Sequence, residues 1–139
     1  MTEICIGKAL YDRFKTLNEF SGINYINENN IAYPNVSFEP PQNKRWFELS
    51  FLADKPTPAS IGKEAQNRWS GIFQIDICTP LAKGIDEANA KYEWIAMLFS
   101  RGTCFGDVEI NSVYKAKEGA EKDYYRTVVR VEWTADIDN

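Results

Sequence analysis

The chain has 139 residues, 44% apolar and 14% aromatic, which is material for one buried core and excludes a disordered segment. Sixteen basic against twenty acidic side chains leave a formal charge of −4, which argues against a general nucleic-acid or anionic-membrane binder, since either needs clustered positive charge. There is no histidine, so serine–histidine–acid and cysteine–histidine catalysis, histidine metal sites and imidazole pH switching are all excluded.

The first residues, Met-Thr-Glu-Ile-Cys-Ile-Gly-Lys, carry an acid where a signal peptide would carry positive charge. The longest apolar run, Trp94–Phe99, is six residues, against the ~20 that span a bilayer. A soluble chain made in the cytosol is expected, with no membrane partner. Cys5, Cys78 and Cys104 form no C-x-x-C pair, and three thiols without histidine make a poor zinc site, so reduced thiols serving as small apolar side chains are expected.

Residues 3–18 read as a helix, because Ile6, Leu10, Phe14 and Leu17 recur at helical spacing opposite Lys8, Asp12 and Lys15. Thr2 is the expected N-cap and Gly22 lies past the end. Residues 23–44 contain Pro34, Pro40 and Pro41, and predict short extended pieces near Ile23–Ile26 and Ile31–Phe38 joined by turns. Arg45–Ala53 alternates, Phe47, Leu49 and Phe51 against Trp46, Glu48 and Ser50, and predicts a strand. Asp54–Asn67, with Pro56, Pro58 and Gly62, has neither period and reads as a long loop. Arg68–Thr79 alternates again, with Trp69, Gly71, Phe73, Ile75 and Ile77 on one parity. A second amphipathic helix follows Gly84 and runs to about Ser100 through Ile85, Ala88, Tyr92, Ile95, Ala96 and Phe99, closed by Arg101-Gly102. Cys104–Val113 predicts a strand interrupted by Gly106, Lys115–Asp123 an exposed hairpin connection, and Tyr124–Ala135 a last strand with Tyr125, Val129, Val131 and Trp133 on one parity. The order lacks a repeated β–α–β period. It predicts a single α+β domain over residues 1–139, a largely antiparallel sheet with two amphipathic helices packed on one face.

No glycine loop has the order or spacing of a phosphate or dinucleotide site: Gly62-Lys63 is followed by glutamate, and Gly102–Gly106 lies between a helix and a strand. Glu48, Asp76 and Glu132 share the outward parity of their strands and are the only carboxylates suggesting paired acid–base work; a solvated or partner-bound face explains them more simply. That parity also collects Trp46, Ser50, Leu52, Ser70, Ile72, Gln74, Cys78, Tyr124, Arg126, Val128, Arg130 and Thr134. Apolar, aromatic and arginine side chains mixed in this way suit a protein–protein interface, the alternative being cover by residues 23–44. Trp46, Leu52, Ile72, Asp76, Tyr124, Arg126, Val128 and Arg130 are the candidate interface residues. Lys63, Arg68, Lys115 and Lys117 are placed in the two exposed connections, as a basic rim or simply a solvated loop. Neither a catalytic residue, a cofactor nor a metal is expected.

The N-terminal amphipathic helix with the Pro-rich segment ending Phe38-Glu39-Pro40-Pro41 resembles the opening of the phage tail terminator-like family. Trp69-Ser-Gly-Ile-Phe-Gln-Ile-Asp-Ile-Cys-Thr-Pro80, then Gly84 and a helix from Asp86, resembles its central strand–helix passage, and Val128–Asp136 its final strand. The resemblance implies a small structural α+β protein of the virion tail, made in the bacterial host. It implies a homo-hexameric ring on the finished tail tube, contacting the tube protein and the head-side connector. The loop lysines and Arg68 would touch the tube or line a channel through which DNA passes without specific binding. Alternatives are a head–tail joining protein and a carboxylate-dependent enzyme or ligand-binding domain bringing Asp76 near Glu48 or Glu132.

Overall fold

The computed structural model describes residues 3–17, 30–41, 44–58 and 66–138. In chain order it has α1 (Glu3–Lys15), β1 (Ile31–Ala32), β2 (Trp46–Ala53), β3 (Thr57–Pro58), β4 (Gln66–Pro80), α2 (Asp86–Leu98), β5 (Cys104–Phe105), β6 (Val108–Ala120) and β7 (Tyr124–Asp138). The strands form one curled seven-stranded sheet in the order β1-β2-β4-β7-β6-β5, with β3 beside β4. Among the described residues only the β1–β2 pair is parallel. Among the described residues the fold is therefore mixed, two helices with a mostly antiparallel sheet, as the pattern predicts.

The long strands follow from their alternation. Phe47, Leu49 and Phe51 of β2 lie opposite Ile77, Ile75 and Phe73 of β4, and these lie opposite Thr127, Val129 and Val131 of β7. Cross-strand partners share a face, so this row forms the floor of the main core. Ile6, Leu10, Phe14 and Leu17 join it from the N-terminal segment, and Ile95, Leu98 and Phe99 from α2 and its end. Phe14 meets Phe47 edge-on at 5.3 Å, Phe99 meets Phe73 at 5.8 Å, and Phe51 stacks on Trp133 at 5.4 Å. Full burial of an aromatic or aliphatic side chain contributes about 1.5–3 kcal/mol, so this row with its helical partners dominates the stability.

Two glycines are required where they stand. A β-carbon on Gly71 would collide with the backbone oxygen of Leu52 and come within 2.9 Å of the Trp133 ring. Gly106, at φ 59°, opens the two-residue turn between Phe105 and Val108, where hairpins favour a positive φ.

The structure corrects several expectations. Residues 115–120 are strand, because β6 runs to Ala120 and the connection shrinks to residues 121–123. Lys115 and Lys117 therefore sit in a strand and not in a loop. Register shifts between Ile110 and Ser112 and between Lys115 and Lys117 break the alternation that would have betrayed it. The long loop is interrupted by β3, which pairs Thr57 with Arg68 and Pro58 with Asn67, so Arg68 too lies in a strand. Of the extended piece expected at Ile31–Phe38, only Ile31–Ala32 is strand. The cation at the end of α2 comes from α1: Arg13 donates from Nε and Nη2 to the Leu98 carbonyl at 3.3 and 3.1 Å, over the Phe105 ring. Cys78 is buried, whereas Cys5 and Cys104 are exposed thiols. Thr2, Gly22, Ile23–Ile26 and Lys63 lie outside the described residues.

Candidate interaction face on the sheet

The opposite parity of the same strands makes the second face. Across β2, β4 and β7 its rows are Trp46–Cys78–Arg126, Glu48–Asp76–Val128, Ser50–Gln74–Arg130 and Leu52–Ile72–Glu132. Beyond β7, β6 adds Ser112 opposite Glu132, Tyr114 opposite Arg130 and Lys117 opposite Val128.

Arg126 is the hub of one end of this face. Its Nη1 donates to Glu48 at 2.6 Å and to Asp76 at 2.7 Å, and Glu121 lies 3.1 Å from Nε without hydrogen-bonding alignment. The guanidinium also lies over the Trp46 ring at 5.7 Å. Burial works against its charge, but its hydrogen bonds to Glu48 and Asp76 and the nearby negative groups prevail, holding it firmly protonated. Asp76 is pushed the other way. Burial raises its carboxyl above the usual range despite the bonds from Arg126 and from Gln74 Nε2 at 3.0 Å. The Cys78 thiol, buried beside this cluster, is pushed up to about 12, chiefly by desolvation.

Residues 30–41 close over this end. Phe38 packs on Trp46 at 5.1 Å, Tyr124 meets Trp46 edge-on at 5.4 Å, and the Tyr124 hydroxyl donates to the Pro41 carbonyl at 3.0 Å. A small second core of Ala32, Trp46 and Cys78 results. Cover by residues 30–41 and an outward-facing surface thus coexist on one face.

The candidates fall into two groups. Trp46, Asp76 and Val128 are buried within the chain, at 6%, 7% and 2% exposure, and so present almost nothing to a partner. Tyr124, Arg126, Arg130 and Ile72 are half-buried, and Leu52 is exposed at 63%. Arg130 Nε donates to Gln74 Oε1 at 3.2 Å. The register does bring Glu48 and Asp76 together, but Arg126 occupies both carboxylates; Glu132 accepts instead from Ser112 at 2.9 Å. Val36 and Tyr114 are exposed apolar side chains that the parity argument did not single out. Tyr114 was hidden by the register shifts that disguise β6.

Of the basic residues, Arg68 grips Asp136 through two hydrogen bonds of 2.8 and 2.9 Å, which lower the Asp136 carboxyl. Lys115 faces the core side: its Nζ donates to Asn89 Oδ1 at 3.1 Å and lies over the Tyr92 ring. Lys117 is exposed on the outer face. These side chains do not converge on one site. Among the described residues no group of His, Cys, Asp and Glu is arranged to hold a metal ion, and no helix is long and apolar enough to cross a membrane.

No curated protein matches the chain. A solved structure 16% identical matches with a TM-score of 0.62, covering 99% of this chain and 96% of its own, which is a likeness of fold. The profile of a family described as phage tail terminator protein matches residues 5–133. The chain belongs to the phage tail terminator family, a family of structural tail proteins.

Proposed function

We propose that this chain forms a homo-oligomeric ring, a hexamer, that caps the tail tube of a long-tailed phage or prophage, ends its polymerisation and offers the surface that the head-side connector joins. The single observation carrying this reading is the family match over residues 5–133. It is supported by a sheet face on which Arg126 holds Glu48 and Asp76 in ion pairs while Leu52 and Tyr114 stay exposed. In this reading both helices lie over the core face of the sheet, where Phe14 meets Phe47 and Phe99 meets Phe73, leaving the other face and the strand edges for contact. The charge of −4 suits a channel through which DNA slides without binding. The test is assembly of purified tube protein with and without this chain. Tubes of bounded length carrying a ring at one end are expected; tubes whose length and ends ignore the chain would overturn the proposal.

A further inference from the structure

Both sides of the sheet end in edges that their short outer strands leave mostly uncovered. Among the described residues β1 pairs only with Phe47 and Glu48, leaving residues 49–53 of β2 paired with β4 but without a partner strand on their outer edge. On the other side β5 pairs with Val108 and Glu109, and the preceding turn bonds only Ile110, leaving residues 111–120 of β6. Unpaired edges are templates for another strand, and proteins normally blunt them with proline or charge. Residues 49–53, Leu-Ser-Phe-Leu-Ala, contain neither.

Resting on the ring reading above, we infer that adjacent subunits join by pairing the open edge of β2 with the open edge of β6 of the next copy, with Leu52 beside Tyr114. Direction comes first. β2, β4, β7 and β6 are successively antiparallel, so β6 runs opposite to β2. Copies arranged head to tail keep strand direction, and the new pair is antiparallel, as sheets prefer.

Side chains come second. Leu52 at 63% and Tyr114 at 36% exposure are large apolar residues on opposite edges and on the same outer face. Set opposite each other, they bring Ala53 beside Val113 on the core side. The irregularity after Lys115 then carries Lys117 to Ser50. Ser50 lines a cavity of about 440 Å³ that Glu48 also lines, so the lysine meets a carboxylate. On the core side Phe51 lines a second cavity, with Gly7, Tyr11 and Tyr33. Flanking cavities on alternating sides are what an added strand fills. In this register β1 falls at the opposite end of the shared stretch from the neighbour's β5, which comes alongside β3, so the two edges part beyond Asp54.

Charge comes third. Two β2 edges paired about Phe51 would set Glu48 against Asp54, acid against acid, which disfavours a two-fold dimer and favours the lysine-bearing edge.

The test is a disulfide. Directly opposed antiparallel residues stand about 4.5–5.5 Å apart at Cα, inside the ~4.4–6.8 Å that a disulfide spans. Leu52→Cys with Tyr114→Cys, in a Cys5→Ser and Cys104→Ser background, is oxidised with purified tube protein present. A ladder of covalent multimers up to the ring is expected, absent from each single-cysteine variant. Leu52→Asp alone should raise the concentration for half-assembly at least tenfold with its unfolding midpoint unchanged. Rings that form without a ladder and ignore Leu52→Asp overturn the edge pairing and leave the ring intact. A covalent dimer from Leu52→Cys alone overturns it in favour of two β2 edges. Absence of any ring, with or without tube protein, overturns both.

Discussion

Replacing Arg126 with methionine, similar in reach but uncharged, tests the electrostatic account of the outer face. The substitution leaves Asp76, 7% exposed, without its counter-ion and removes the cation from above Trp46. Removing one partner of a buried pair costs about 3–5 kcal/mol. Glu48 and Glu121 are 44% and 54% exposed at their side chains, so their parts are screened; exposed pairs are worth about 0–1 kcal/mol each. Asp76 carries the main cost, and about 3 kcal/mol at pH 7 is expected, read from urea unfolding followed by circular dichroism.

The pH dependence is the sharper signature. Burial already raises the folded-state carboxyl of Asp76, and loss of Arg126 raises it further. A carboxyl raised on folding favours the folded state below its unfolded value and loses that contribution as pH rises through the folded value. The cost of Arg126→Met should therefore shrink towards pH 4 and be largest at neutral pH. Adding Asp76→Asn should recover most of it. A cost below 1 kcal/mol at pH 7, or one independent of pH and untouched by Asp76→Asn, would refute the reasoning.

Three further outcomes are expected. Gly71→Ala should cost about 3 kcal/mol or more, because the added carbon meets backbone rather than a yielding side chain; an unchanged denaturation midpoint would contradict this. Cys5 and Cys104 should react with a thiol reagent at pH 8 in the folded chain, while Cys78, buried and with its pKa near 12, reacts only on unfolding; three fast thiols in the native state would refute it. Tyr124→Phe should cost about 0.5–1.5 kcal/mol by removing the hydroxyl's bond to Pro41, and amide exchange in residues 36–39 should quicken with it.

The parts of this fold legible in the sequence are those where one face is buried. Phe47-Leu49-Phe51 and Phe73-Ile75-Ile77 alternate because every second side chain enters the core, and the strands end within three residues of where that alternation stops. The same rule exposed the outer face and its candidate residues. It failed for residues 115–120, where the strand lies at an edge and two register shifts swap its faces, putting Lys115 towards α2 and Lys117 outward. One signal could have found it: the long strand Tyr124–Asp138 needs a neighbour, and the charged stretch just before it is the nearest chain. The capture of Glu48 and Asp76 by Arg126 depends on register across three strands, which periodicity cannot supply. Composition likewise could not show that Phe38 and Pro41 would fold back over Trp46 and Tyr124.

The pairing of β4 with β7 also governs how the chain reaches its structure. Its fifteen rungs join residues between 44 apart, Pro80 to Tyr124, and 72 apart, Gln66 to Asp138. The neighbouring β6–β7 hairpin starts from Ala120 and Tyr125, five residues apart. Loop closure must precede the contacts that reward it, and chains dominated by distant strand pairings fold in milliseconds to seconds rather than microseconds. The hairpin has only a short loop to close, whereas the middle of the sheet waits for a strand made long before its partner. Until that seam closes, the apolar sides of β4 and β7 are the surfaces most in need of protection from other chains.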